Sequence, residues 1–162
     1  MKKVLIATPS YDGKLDVWYT NSLLQTALLG VANEVSFKPI FLSYDALVQR
    51  ARNDLMKIAV EGEFDGVLWI DSDIEWHPAW AVALANSEKD VVGLPVIKRG
   101  LGESYNVKAN PEDLVLNEEG LISVLSVGTG FLYMSKAAIT YLWDNAPEYT
   151  EQDKSTGKTG RL

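Results

Sequence analysis

Gly66-Val67-Leu68-Trp69-Ile70 carries no polar side chain and stops abruptly at Asp71-Ser72-Asp73. A run this short, with no polar residue on either alternate position, reads as a central strand covered on both faces. Such a strand needs helices above and below it, so it already points to an α/β chain. Val4 to Ala7 is a second short apolar run, ended by the turn chemistry of Thr8-Pro9-Ser10-Tyr11-Asp12-Gly13.

Between and beyond these runs the apolar spacing changes. Residues 17–31 show a helical spread (Leu23, Leu24, Ala27, Leu28, Val31), and residues 34–42 read as a second strand in which Pro39 marks a sheet edge or strand end. From Asp45 on, Leu47, Val48, Ala51, Leu55, Ile58 and Ala59 recur at three and four, predicting a helix that Ser43 or Asp45 would cap. A helix over 78–86 begins with Pro78, and residues 90–97 read as another buried strand, interrupted by Gly93 and Pro95. Residues 98–120 are loop-like, with a short strand near 104–107. Segments 121–127 and 131–134 are strand-like around Gly128-Thr129-Gly130, and 135–142 is a capped helix.

This order predicts an α/β, Rossmann-like fold: a mostly parallel sheet with helices on both faces and ligands bound beyond the carboxyl ends of the strands. With no repeat and no linker, residues 1–150 form one domain, and the polar stretch 151–162 is expected to be a mobile tail.

Composition narrows the functions open to such a domain. Fifteen basic against 22 acidic side chains leave a net charge of −7, the wrong sign for holding a nucleic-acid polymer. An anionic ligand would need a metal ion or a few placed cations. The absence of cysteine excludes disulfides, thiolate zinc sites and thiol nucleophiles. The apolar start is too short for a signal peptide, and no stretch approaches the roughly 20 apolar residues of a membrane span. A cytoplasmic protein without membrane insertion is the expectation.

Asp71 and Asp73, placed after a rigid strand, are hard oxygen donors suited to Mg²⁺ or Mn²⁺, which complete their shells with water and substrate phosphates. A solvated turn would use the same residues. An EF-hand loop starting at Asp71 would need glycine and glutamate where Trp76 and Val82 stand. A haloacid-dehalogenase-like phosphatase usually carries its Asp-x-Asp on the first strand, which here ends in Thr8-Pro9-Ser10.

Three blocks in order, residues 47–55 with Ala51-Arg52-Asn53, residues 66–74 with Asp71-Ser72-Asp73, and Asp90-Val91-Val92-Gly93, resemble GT-A glycosyltransferases. The match spans roughly half the chain. In detail it is similar to phage and viral glycosyltransferases and to Anp1/Mnn9-type mannosyltransferases, in which an Ala-Arg-Asn helix precedes a strand ending in Asp-x-Asp. The resemblance implies a metal-dependent transferase that moves a hexose from a UDP- or GDP-linked sugar to a hydroxyl on a glycan or other acceptor. It implies metal binding by Asp73 and Asp71, or Asp71 on the ribose, with Ser72 between them. It further places Thr8, Pro9 and Tyr11 along the base, Arg52 and Asn53 toward the nucleotide sugar, and Gly128, Thr129 and Gly130 beside the sugar and acceptor. Without it, Arg52 would read as part of a solvated helix face and Gly128 to Gly130 as a hairpin turn.

Other residues carry weaker readings. Lys98 and Arg99 read as solvated loop cations rather than as contacts to phosphate or acceptor, His77 reads as structural, and Trp69, Trp76 and Trp80 suit core packing better than a sugar floor. Ser155 to Thr159 lacks the upstream glycine and following helix of a P-loop. The resemblance implies a later acidic segment, which Glu148 or Glu151 would begin, and a late histidine; none follows His77. A nucleotide-sugar-binding module without transfer activity is therefore the first alternative, and a haloacid-dehalogenase-like phosphatase the second.

Overall fold

The structure, a computed structural model, describes residues 1–97, 104–110, 112, 114–150 and 159–161. Lys98, Arg99, Glu151 and the P-loop-like stretch up to Lys158 lie outside them. The chain runs β1 (Lys2–Ser10), α1 (Val17–Ala32), β2 (Val35–Ser43), α2 (Val48–Glu61), β3 (Gly66–Ile70), α3 (Pro78–Ala85), β4 (Val91–Gly93), β5 (Val107–Lys108), β6 (Ser126–Val127), β7 (Phe131–Ser135), α4 (Lys136–Asn145), β8 (Glu148–Thr150) and β9 (Thr159–Arg161).

The main sheet has the order β2-β1-β3-β7-β4. β1 pairs parallel with β2 and with β3, with Ile6 beside both Pro39 and Leu68. β7 pairs antiparallel with β3 on one side and β4 on the other, placing Phe131 beside Ile70 and Tyr133 beside Val92. The expected mostly parallel sheet is therefore corrected to a mixed one: β7 alone runs against the other four strands, and half of the strand pairings are antiparallel. The long excursion after β4 lets the chain re-enter the sheet from the opposite end, a geometry that needs no helical crossover. Pro39 lies on edge strand β2, where a missing N–H costs no ladder bond.

Alternation along the strands feeds two cores. Val4, Ile6, Leu68, Ile70, Phe131 and Tyr133 meet Tyr19 of α1 and Ala81, Leu84 and Ala85 of α3 on one face. Leu5, Ala7, Val67, Trp69, Leu132 and Met134 meet Leu55 and Ala59 of α2 and Ile139 of α4 on the other. Helices thus cover both faces, as the all-apolar Val67 to Ile70 requires.

Helix α1 is turned against its apolar pattern. Its buried residues are Tyr19, Ser22, Thr26 and Gly30, while Leu24, Leu28 and Val31 are exposed. Hydrogen bonds set this rotation. The Tyr19 and Thr8 hydroxyls meet at 2.6 Å, the Trp76 amide donates to Ser22 Oγ at 3.2 Å, and its indole Nε1 donates to Thr26 Oγ1 at 2.8 Å. At Gly30 a Cβ would come within 2.7 Å of Phe37 and of the Val35 carbonyl, so glycine allows the close approach to β2.

Several boundaries differ from expectation. Helix α2 starts at Leu47 as N-cap, with no side-chain cap; Asp45 instead accepts from the Leu47 amide at 2.9 Å and binds Arg50. The strand expected over 90–97 ends at Gly93 and is not buried, since Val91 is exposed at the sheet edge. Of residues 121–127 only β6 is a strand, paired with β5, while Tyr105 bridges to Ile97. Thr159–Arg161, within the expected tail, pair antiparallel with β8. Ser135 caps α4 by accepting from the Ala138 amide, and His77 Nδ1 accepts from Ala79 N at the start of α3, a structural use of the chain's single histidine.

Candidate functional site

β1 and β3 run side by side and end at the same rim of the sheet, where their chains must turn away. The turn after β1 supplies Pro9, Ser10 and Tyr11, and the turn after β3 supplies Asp71, Ser72 and Asp73. Helix α2 closes the third side with Ala51 and Arg52, leaving a cleft of about 450 Å³. That volume lies in the usual range for small-ligand sites.

Its walls are fastened to one another. The Tyr44 amide donates to the Ser10 carbonyl at 3.3 Å, linking the loops after β2 and β1. Tyr44 holds φ +65°, a left-handed conformation uncommon for a bulky residue. The Asp16 amide donates to the Ser72 carbonyl at 3.1 Å while the Asp16 side chain caps α1, so the acidic turn is tied to that helix. The Asp71 amide donates to the Gly130 carbonyl at 3.0 Å, which brings the 128–130 loop alongside. That loop is not a hairpin: β6 pairs with β5, and β7 belongs to the main sheet.

Arg52 joins these parts. Its Nη2 donates to Asp71 Oδ1 at 2.7 Å and its Nη1 donates to Thr129 Oγ1, while Nε is buried without a hydrogen-bond partner among the described residues. A planar guanidinium can serve two acceptors in fixed directions, which an ammonium cannot do as well. At Gly130 a Cβ would stand 3.2 Å from Asp71 Oδ2 and 3.1 Å from Ile74 Cδ1. The missing side chain is what lets the loop sit against the carboxylate. On the far rim, Arg50 grips Asp45 through Nε at 2.6 Å and Nη2 at 2.7 Å, a fork that fixes the entry to α2.

The structure brings together Pro9, Tyr11, Arg52, Asp71, Ser72, Asp73, Thr129 and Gly130. Thr8 stands apart: it is fully buried, with its hydroxyl on Tyr19, so it supports the wall from beneath. Asn53 is half-buried on α2 and does not line the cleft, and a Cβ on Gly128 would meet Asn106 rather than the acidic turn. Trp69 and Trp76 are core residues; Trp80 is exposed. Sequence reasoning missed Ser10 and Asp45 as lining residues. The sequence marks Asp45 only as a helix cap; its acidic character beside the cation pair at 50 and 52 is the available signal.

The donors at the acidic turn are carboxylate oxygens, the kind that hard divalent cations prefer. Among the described residues no group of three or more His, Asp or Glu side chains gathers to hold a metal. A cation at this turn would have two protein carboxylates at most, with its other positions left to phosphate oxygens and water, as Mg²⁺ accepts. Asp71 shares one oxygen with Arg52, and Asp73 lies on the exposed side of the turn. Among the described residues no helix is long and apolar enough to cross a membrane. No protein-family model matches this sequence and no curated protein matches it significantly, so what the site can do rests on its own chemistry.

Proposed function

We propose that the cleft binds a nucleotide diphosphate sugar together with Mn²⁺ or Mg²⁺, and that the chain is a GT-A-like glycosyltransferase passing a hexose to a hydroxyl acceptor. The observation that carries this reading is the convergence of Arg52, Asp71 and Thr129 beside Asp73 at the carboxyl ends of β1 and β3. In open α/β sheets that edge is where ligands bind. Helices on both faces of a sheet whose first three strands are parallel support the GT-A-like assignment to the same degree.

Each residue has a role in this proposal. Asp73, with Asp71, would hold the cation, whose chemistry at the site is to offset charge building on the departing diphosphate. Arg52 holds Asp71 in place and offers positive charge to the phosphates. Pro9 and the exposed ring of Tyr11 form an apolar wall for the nucleoside. Gly130 keeps the backbone open toward the sugar. The acceptor would approach from the open side, with donor and acceptor oriented by the walls.

Calorimetric titration of the intact protein with UDP- and GDP-sugars, with and without Mn²⁺, tests it against Asp73→Ala. Metal-dependent binding lost in the variant, with slow release of free sugar, is the expected result. Binding with no turnover under any condition would leave a nucleotide-sugar-binding module. Release of phosphate from simple monoesters would replace both readings with a phosphatase.

A further inference from the structure

Helix α1 has no acidic or basic side chain from Val17 to Ala32, in a chain that is 23% charged and carries a net charge of −7. Its inner face is committed to the core through Tyr19, Ser22, Thr26 and Gly30, and the hydrogen bonds to Thr8 and Trp76 fix its rotation. The outward face is left to Val17, Trp18, Leu24, Leu28 and Val31, each between 61% and 76% exposed. A helix held this way cannot roll to hide its apolar residues without breaking buried hydrogen bonds.

The exposed stripe has a period and a symmetry. Val17, Asn21, Leu24, Leu28 and Val31 follow each other at alternating steps of four and three, the 3.5-residue repeat of a helix-on-helix seam. Val17, Leu24 and Val31 read the same from either end, a pattern that complements itself in an antiparallel pair. The polar residues within the stripe are partly satisfied, since Gln25 Nε2 donates to Asn21 Oδ1 at 3.2 Å. The five apolar residues expose roughly 600 Å² per copy, at the upper end of what monomers leave open. With all five residues, Trp18 beside the seam included, fully covered on both copies, at most about 1,200 Å² would be buried, the lower edge of stable specific interfaces.

We propose that α1 is the seam of a two-fold homodimer, with a second copy of this chain laying its own α1 antiparallel across the stripe. Leu24 meets its own counterpart at the axis, and Val17 faces Val31 of the other copy. An isologous contact of this kind closes after two subunits. The lack of charge decides the occupant: two copies with a net charge of −7 repel each other least where neither presents an ionised group, whereas an anionic membrane would call for Lys or Arg beside the stripe. The dimer is independent of nucleotide binding.

Sedimentation equilibrium of the intact protein tests this. A mass twice the 17.9 kDa of the chain is expected, and Leu24→Glu, which places two carboxylates face to face at the axis, should weaken association at least about 100-fold. Leu24→Lys should do the same, and mixing the two variants should restore a dimer by opposite charge. Because Leu24 is exposed in the subunit, circular dichroism should be unchanged; if Leu24→Glu does not fold, Leu24→Lys and Leu28→Lys carry the same test. A wild-type monomer at every soluble concentration would overturn the proposal, as would a dimer that survives in folded Leu24→Glu. Co-sedimentation of monomer with phosphatidylcholine vesicles would overturn it too, by assigning the stripe to a lipid surface.

Discussion

Arg52 and Asp71, 19 residues apart in the chain, meet at 2.7 Å across the gap between a helix and a strand end. The second outer nitrogen of the same guanidinium reaches Thr129, 77 residues away in sequence. One side chain therefore fixes the relative position of helix α2, the acidic turn and the loop before β7. That contact adds to the backbone bond from the Asp71 amide to the Gly130 carbonyl, which ties the acidic turn to the same loop.

Replacing Arg52 with lysine should separate this bracing role from the fold. An ammonium can reach one acceptor but not hold both at fixed angles, and the pair is partly solvent-exposed, so stability should fall by only about 1 kcal/mol. Affinity for a nucleotide diphosphate should drop by at least about tenfold if the guanidinium also faces phosphate. Urea unfolding and calorimetry read the two effects. A loss of several kcal/mol would make Arg52 a core brace, and no change in either quantity would mean that the three-way contact does not form in solution.

Gly130→Ala probes the same corner from the other side. The added Cβ would stand 3.2 Å from Asp71 Oδ2 and 3.1 Å from Ile74 Cδ1, tight contacts that the carboxylate and the isoleucine tip relieve by moving. Little stability should be lost, under about 1 kcal/mol, because both neighbours are side-chain ends. Metal-dependent nucleotide binding should weaken, since the carboxylate is the group displaced. An unchanged affinity would place the ligand away from Asp71.

The features most legible in the sequence were those whose chemistry is local. The apolar run 66–70 reads as a strand because nothing polar interrupts it, and Pro78 and Ser135 announce helix starts through their own geometry. The rotation of α1 was not legible, since it depends on where Thr8 and Trp76 sit in space, and apolar periodicity alone would turn Leu24 and Leu28 inward. The reversal of β7 was hidden for a similar reason. Strand-helix alternation implies parallel crossovers, but Phe131 to Ser135 arrive from a long excursion that no local pattern orients. In the site, Asp71 and Asp73 stood out by position, whereas Arg52 entered only through the resemblance, which set it toward the nucleotide sugar; its contact with Asp71 was not legible, since an arginine on a helix ordinarily signals solvent. Thr8 shows the opposite case: it lies in the expected segment, yet the strand's alternation buries it.

Thr26→Val should test what sets the rotation of α1. Valine nearly matches threonine in shape but leaves the Trp76 indole N–H, bonded at 2.8 Å to Thr26 Oγ1, without an acceptor in the core. An unmet buried donor costs about 1–3 kcal/mol. Urea unfolding should show that loss with an unchanged m value, and near-ultraviolet dichroism should register the altered tryptophan. A loss under about 0.5 kcal/mol would mean that packing alone orients the helix.

The buried phenol of Tyr19 gives a pH dependence with a definite sign. Burial pushes its pKa from the ordinary 10.0 up to about 12, against the smaller opposing pull of the hydrogen bond with Thr8. Below about pH 10 the phenol is neutral in both folded and unfolded chains, and its contribution is fully present. Between the two values the unfolded chain ionises first and binds fewer protons, so stability falls as pH rises, by up to about 2–3 kcal/mol across the window. Tyr19→Phe removes that contribution but forfeits the hydrogen bond, at a cost of about 1 kcal/mol near neutral pH. The wild type should therefore be the more stable protein near neutrality and lose its advantage at about pH 11. Because the two proteins differ at Tyr19 alone, the difference between their stability curves isolates its phenol. Parallel unfolding series should show the two stability curves crossing; curves that stay parallel through the alkaline range would mean that Tyr19 ionises as readily in the folded chain as in the unfolded one.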